Sequence, residues 1–358
     1  MNRLLTFVDL FAGCGGGSMA MQAVGFAPVA AIEIDEDAAG SYQDNIGLRP
    51  ITRDIRGVTG DQVLKSAGLR PGDLTLLVGC PPCQSFTILR RGIKPTVIDQ
   101  ERNRLPGEYL RLVGELRPRH IAFENVPGLA DGCWANHFSA LLDRLTALGY
   151  RCTWELVDAA DYGVPQRRRR LVLIGSRVAE PCLPAATHGG AGLKPHVTVR
   201  QAIGHLPPPL PLGAPAEPGD DPLHRSRRHT AIAIARLRAL REGQGRIDLP
   251  EHLQLACHRG HKGHYDIYGR MWWDRPAPTL TSGCTNMTKG RFAHPEQDRA
   301  ITVREAMLLQ SFPLAATLRG GIESMSLQVG NAVPFLLAEE IGRTIRIMEE
   351  GTRGKEIA

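Results

Sequence analysis

The chain has 358 residues and carries 43 Lys and Arg against 37 Asp and Glu, a formal charge of +6. That length buries a sizeable core and leaves room for two domains, and the modest basic balance is compatible with a polyanionic partner without demanding one. Eight cysteines, scattered in a chain too large to need staples, argue against a secreted disulfide framework and for a reducing compartment.

The first eight residues start like a secretory leader, but Asp9 interrupts the apolar run and no such run reaches about 18 residues. A soluble, cytoplasmic protein with no membrane partner is expected. Strands are predicted at residues 4–10, 29–34, 74–78, 121–124, 153–157 and 171–174. Helical periodicity falls between them, for example at 18–24 before Gly25 and at 137–148 before Gly149, glycine being the common helix stop. Alternating strands and helices predict an α/β domain with a doubly wound parallel sheet. The pattern breaks after Gly175. Residues 181–222 are rich in Pro and Gly, with a short helix predicted at 230–241. Regular periodicity returns at 302–310, with Arg304 and Glu305 expected on its exposed side, and at 334–348. The expected division is a large domain, 1–180 plus 328–358, and a smaller loop-rich one, 181–327. Residues 186–270 hold twelve Lys and Arg against seven Asp and Glu, a basic stretch read as facing a polyanion.

The loop Asp9-Leu10-Phe11-Ala12-Gly13-Cys14-Gly15-Gly16-Gly17 joins the first strand to the first helix. Its glycines let backbone approach a ligand, yet the spacing is not G-x-G-x-x-G and there is no Lys-Ser/Thr for a phosphate. Glu33, ending the second strand, is placed to take ribose hydroxyls. Asp54, in Ile51-Thr52-Arg53-Asp54-Ile55, is placed to accept an adenine amino group. A nucleoside ligand without a phosphate fits, and S-adenosyl-L-methionine is such a ligand.

Two further strand ends carry chemistry. Gly79-Cys80-Pro81-Pro82-Cys83-Gln84-Ser85-Phe86 follows the third, and Glu124-Asn125-Val126 the fourth. In an open α/β sheet these ends face one crevice. Either cysteine suits a nucleophile. A Cys80-x-x-Cys83 pair also suits redox work or half a zinc site, although no second such pair completes four ligands.

Across residues 9–334 the sequence resembles the DNA cytosine-5 methyltransferases. The resemblance implies a Rossmann-like methyltransferase domain and a smaller target-recognition domain. It implies S-adenosyl-L-methionine as cofactor and double-stranded DNA as partner. Its Pro-Cys-Gln motif selects Cys83 as the nucleophile attacking C6, with Cys80 standing where Gly or Ser is usual, and assigns Glu124 as the acid at N3. Its Gln-x-Arg-x-Arg motif maps to Gln166, Arg168 and Arg170: Arg170 would contact the cytosine carbonyl or its phosphate, Arg168 would order the site, and Arg167 and Arg169 would lie on the other face. The cofactor pocket would comprise Phe11, Gly13, Gly15, Glu33, Ile34, Asp54, Ile55, Pro82, Leu105 and Asn331, with Ile34 where many relatives have an aromatic.

Arg275-Pro276-Ala277-Pro278-Thr279 resembles the family's Arg-Pro-x-x-Thr element, and Gln328-Val329-Gly330-Asn331-Ala332-Val333-Pro334 its last motif, after which a C-terminal helix is expected beside the first strand. A cytosine in a duplex must leave the stack to react, and residues 87–103, with Arg90, Arg91 and Lys94, would close over it. Gln84, Ser85, Arg90, Arg91, Gln166, Arg228, Arg259, Arg270 and Thr279 are the expected DNA contacts. A bacterial monomer is expected, either paired functionally with a restriction endonuclease or solitary. An RNA cytosine-5 methyltransferase and a catalytically inactive DNA-binding relative are the alternatives. Cys257, His258, His261 and His264 have zinc-like residue types, but their spacing gives no helical i, i+4 pair and no metal is expected.

Overall fold

The computed structural model describes residues 4–82, 104–131, 134–255 and 265–357. Cys83, Gln84, Ser85, Arg90, Arg91, Lys94, Arg259 and the cluster Cys257, His258, His261 and His264 lie outside them. The chain divides into two compact units. The first comprises Met1–Ala159, Arg169–Ala186 and Phe335–Ala358, and the second Ala160–Arg168 and Thr187–Pro334.

The first unit is built on six strands: β1 (Thr6–Leu10), β2 (Ala27–Ile32), β3 (Leu76–Gly79), β4 (His120–Asn125), β5 (Arg151–Asp158) and β6 (Arg169–Ser176). Their order across the sheet is β2-β1-β3-β4-β6-β5. β1, β3 and β4 are covered on both faces, as inner parallel strands are, and the polar residues of β1 and β4 are buried with the apolar ones. β1 pairs in parallel with both β2 and β3, and β3 with β4. β6, expected to continue the parallel sheet, instead runs antiparallel to β4 and β5.

Helices α1 (Gly16–Ala23), α2 (Glu36–Ile46), α3 (Gly60–Ala67), α4 (Leu105–Leu116) and α5 (Ala135–Ala147) connect the strands. The C-terminal helix, Phe335–Ile357, packs along α1 rather than beside the first strand. A Cβ on Gly342 would stand 2.8 Å from Val24 and 2.9 Å from Met21, so the two helices approach closely. Arg346 donates to the Val24 carbonyl at the α1 terminus, where such carbonyls lack helical partners.

The second unit has little regular structure: short helices Val199–Ile203, Ala231–Arg238, Val303–Leu309 and Ile322–Asn331, and a two-residue strand pair. Its core gathers Leu237, Leu240, Leu249, Tyr268, Met287 and Ala293. Loop carbonyls that enter a core need donors, and buried guanidinium groups supply them here. Arg304 and Glu305, expected to be exposed, are 6% and 1% exposed. Arg304 donates to the Ala316 carbonyl and pairs with Asp221, while Glu305 accepts two bonds from Arg299 and closes a capping box with Thr302. Each charge is buried because it finds an opposite charge there, which a polarity pattern does not reveal. Among the described residues no helix is long and apolar enough to cross a membrane.

Gly79 ends β3 against the ring of Tyr109, where an added Cβ would sit 2.5 Å from two ring carbons. Tyr109 is fully buried and stacked edge-on to Phe123 at 5.2 Å, so the ring has nowhere to move. Gly79→Ala is expected to cost about 1–3 kcal/mol from overpacking, read as a lower urea midpoint with an unchanged slope.

Candidate active site

The sheet order changes direction between β1 and β3, the switch point at which open α/β sheets take ligands. The loop after β1 turns by placing Phe11, Gly13 and Gly15 in the left-handed region, at φ 62°, 54° and 89°. For Phe11 that is backbone strain held by its surroundings. A Cβ on Gly13 would meet nothing within 4 Å, so space stays open over the loop, whereas one on Gly15 would press on Ile46 and Tyr42. Beneath the loop, Ser18 donates to the buried Asp9 carboxyl and bonds the Tyr42 hydroxyl at 2.9 Å.

Glu33 lies just past β2 and closes the loop. Its Oε2 accepts from Gly13 N at 2.7 Å and its Oε1 from Ile34 N and Asp35 N at 2.9 Å. Burial raises the Glu33 carboxyl above its usual range, against those three bonds. Ile34 is 64% exposed and presents an open apolar face beside that carboxylate. Ile51 forms a parallel bridge to Ile32, which brings the next segment alongside. There Asp54 accepts from the backbone N and the guanidinium of Arg56, bonds that hold its carboxyl below the usual range, while Ile55 is buried. Pro82 and Leu105 are half-buried. The first unit thus brings together the glycine loop, Glu33, Ile34, Asp54 and Ile55. Asn331 belongs to the second unit, exposed at the end of helix Ile322–Asn331.

The chemistry-bearing strand ends meet within the first unit. Phe123 is paired with Gly79, so Glu124 and Cys80 are the next residues beyond that rung. Arg170 arrives from the other side. β6 runs antiparallel to β4 with Glu124 opposite Val172, so the beginning of β6 lies at the end of β4. Arg170 Nε stands 2.8 Å from Glu124 Oε1, with only 12% and 9% of the two side chains exposed. That is an ion-pair distance without an aligned hydrogen bond, since Oε1 is buried and has no hydrogen-bond partner. The Cys80 thiol donates to Oε2. Asn125 Nδ2 donates to the Pro81 carbonyl at 3.2 Å, tying the turn before Cys83 to β4. Sequence reasoning weighed Cys80 only as a rival nucleophile and took Asn125 only as part of the motif after Glu124; it foresaw neither contact. The available signal was their position, one residue beyond a strand end and one beyond Glu124.

The Gln-x-Arg-x-Arg segment divides between the units. Arg168 is 2% exposed and donates to the carbonyls of Leu280, Gly330 and Ala332 at 2.9–3.1 Å, joining the two late motifs. A Cβ on Gly330 would stand 2.3 Å from the Thr281 backbone, so only glycine fits there. Arg167 and Arg169 are exposed and alternate with their buried neighbours. Two expected DNA contacts are corrected. Gln166 is fully buried, its amide spent on the Leu309 carbonyl and the Leu280 N–H. Arg270, 3% exposed, spends its donors on the carbonyls of Leu237, Leu240, His294 and Gln297 and on Asp298. Neither has a free face for a groove. Arg228 and Thr279 are exposed, and the Thr279 hydroxyl donates to the Arg167 carbonyl at 2.7 Å. Among the described residues no group of three or more His, Cys, Asp or Glu could hold a metal ion.

The fold has close counterparts among solved structures. A DNA modification methyltransferase encoded within an E. coli prophage matches with a TM-score of 0.72 over 97% of this chain and 99% of that one, at 22% identity. The Entamoeba histolytica methyltransferase EhMeth matches with a TM-score of 0.61 over 96% and 98%, at 12% identity. The architecture is the Rossmann-like methyltransferase fold. Residues 5–346 match the model of the C-5 cytosine-specific DNA methylases. Type II methylase M.HgiDII of Herpetosiphon aurantiacus is 34% identical over 98% of this chain and 97% of its own length. Type II methyltransferase M1.HphI of Haemophilus parahaemolyticus is 32% identical over 95% and 86%. The chain belongs to the C-5 cytosine-specific DNA methylase family and is a DNA cytosine-5 methyltransferase.

Asp9 gives the floor of the glycine loop a pH dependence. Burial pushes its carboxyl up to about 7; the Ser18 hydroxyl pulls it down and the Glu33 charge adds to the rise. The folded state therefore holds this proton more tightly than the unfolded chain, whose value is near 3.8. The contribution to stability is fully present below the unfolded value and is lost as pH rises through the folded one. Asp9→Asn removes the ionisation but keeps an acceptor for Ser18. The stability of wild type relative to this variant should fall between about pH 5 and 7, by no more than about 1.4 kcal/mol per pH unit. Urea midpoints across that range measure it, and a flat difference would contradict the assignment.

Proposed function

We propose that the chain transfers the methyl group of S-adenosyl-L-methionine to C5 of a particular cytosine in double-stranded DNA, with that base out of the stack. It acts in the cytoplasm as a monomer, as the modification partner of a restriction endonuclease or as a solitary methylase. The observation that carries the reading is the grouping of Glu124, Arg170 and the turn leading to Cys83 at neighbouring strand ends, beside a glycine loop with no provision for phosphate. An RNA substrate and an inactive relative have no observation of this kind in their favour.

The residues of the loop fit the methyl donor. Open space over Gly13 admits a ligand against backbone. Glu33 uses three acceptor positions on backbone amides, leaving capacity on its oxygens for a ribose hydroxyl. The exposed Ile34 offers an apolar face to adenine, and Asp54, presented with Ile55, would accept its amino group. Phe11, Gly15, Pro82 and Leu105 complete the part of the proposed pocket that the first unit supplies. When bound, the donor supplies a methyl group on a sulfonium, an electrophile for a nucleophilic carbon.

Cytosine C5 becomes nucleophilic only after addition at C6. In the proposed sequence the Cys83 thiolate bonds to C6 while Glu124 gives a proton to N3, leaving a neutral enamine. Arg170 neutralises the Glu124 carboxylate that results and binds the cytosine carbonyl. Once C5 is methylated, a base takes the C5 proton, the bond from Cys83 to C6 breaks, and the N3 proton returns to Glu124. Arg168 acts at one remove by fixing the loops that it bonds. The second unit, with the exposed Arg228 and Thr279, is assigned target recognition; Gln84, Ser85, Arg90, Arg91 and Arg259 are assigned to DNA as well.

Cys83→Ala should abolish methyl transfer while leaving donor binding nearly intact. A duplex bearing 5-fluorocytosine should trap the wild-type chain covalently at Cys83, because elimination is blocked. A peptide map with the adduct on Cys80 would overturn the assignment. Glu33→Ala should weaken donor binding by about 1.5–3 kcal/mol, the scale of hydrogen bonds to a charged group. Unchanged calorimetric affinity would remove Glu33 from the pocket.

A further inference from the structure

We propose that Cys80 is a positioning residue for Glu124, holding its carboxyl so that Oε1 is the oxygen that meets the cytosine ring. The inference rests on the reading of Glu124 as the acid at N3 and concerns a residue that the reaction itself does not consume.

Both ends of the contact are fixed by the sheet. Cys80 follows the last paired residue of β3, and its backbone N donates to the Leu10 carbonyl at 3.5 Å, while the next carbonyl, that of Pro81, is held by Asn125. Glu124 is the corresponding residue of β4, 7% exposed. The side chains meet with the Cys80 thiol donating to Oε2. The other oxygen differs in kind: Oε1 has a guanidinium nitrogen at 2.8 Å, yet no N–H is aimed at it.

The consequence is chemical. The two oxygens of a carboxyl group exchange by rotation, and an acid that serves one ring nitrogen gains from having a single oxygen presented. An S–H directed at Oε2 uses that oxygen as acceptor and leaves Oε1 as the oxygen presented to N3. During reaction the proton moves from Oε1 to N3 and later returns, and the sulfur keeps its own proton throughout. The same contact turns Cys80 towards Glu124, the role of a support rather than of a second nucleophile.

The test is a double-mutant cycle on the full chain, read by single-turnover methylation of duplex DNA with labelled donor. Cys80→Ala should slow turnover about ten- to a hundredfold, the scale of a small misplacement in an active site, with KM for DNA and donor within about twofold of wild type. Cys80→Ser, which donates in the same direction, should recover most of that loss. In a Glu124→Gln background, Cys80→Ala should cost nothing further, because the effect runs through the acid. Thermal melts check folding, and Cys80→Gly takes the place of the alanine variant should that one unfold. An equal loss in both backgrounds, a wild-type rate for Cys80→Ala, or no recovery with serine would each overturn the proposal. If Glu124→Gln itself turns over normally, the acid assignment falls and this proposal with it. If Glu124→Gln is impaired and Cys80→Ala is not, only the role of Cys80 falls.

Discussion

The candidate active site depends on one strand running the wrong way. Arg170 is the second residue of β6, and Glu124 the fifth of β4's six. Had β6 continued the parallel sheet, its beginning would lie beside the beginning of β4, three to four residues from Glu124, on the order of 10–13 Å at about 3.3 Å per residue. Reversal converts that separation into an ion-pair contact at 2.8 Å. A pair as buried as this one adds little net stability, because desolvation offsets the attraction. Its value is geometric: it fixes a cation and an acid against each other at the mouth of the crevice. The reversed strand is held by antiparallel pairing with β4 over six residues and with β5 over eight.

The second unit solves a different problem. With few helices and almost no sheet, its loop carbonyls cannot be satisfied by ladders, and arginines take over. A guanidinium has five donors in a fixed plane and is always charged, so one side chain closes several loops at once where lysine would satisfy them less rigidly. Arg270 bonds four carbonyls and a carboxylate, and Arg168 three carbonyls. Loops held in this way are already ordered and need not be ordered again on binding.

This also explains where the sequence could be read and where it misled. The strand-helix alternation, the glycine loop, Glu33 at its strand end and the adjacency of Glu124 to the turn before Cys83 were all legible, because each depends on local pattern plus one rule about strand ends. The direction of β6 was not, since the short apolar run at residues 171–174 carries no mark of its orientation. The charge excess of residues 186–270 was read as a face for DNA, yet Arg236, Arg246 and Arg270 are buried. A count of charges does not separate those that meet solvent from those that hold loops together. The same blindness placed Arg304 and Glu305 outside and Gln166 on the DNA. The thiol contact of Cys80 was hidden because it joins residues 44 apart through the register of two strands.

Chain order has a consequence for how this molecule is made. The helix that covers α1 begins at Phe335, more than three hundred residues after the surface it covers. Arg168 likewise waits for Leu280, Gly330 and Ala332, partners 112 to 164 residues downstream. During synthesis, at roughly 5–20 residues per second, the N-terminal sheet emerges with α1 uncovered and must remain so for tens of seconds. Neither compact unit can close before nearly the whole chain has left the ribosome. A nascent chain of this kind presents its Met21 and Val24 surface to solvent for most of its translation, which makes it a candidate for chaperone capture at that face.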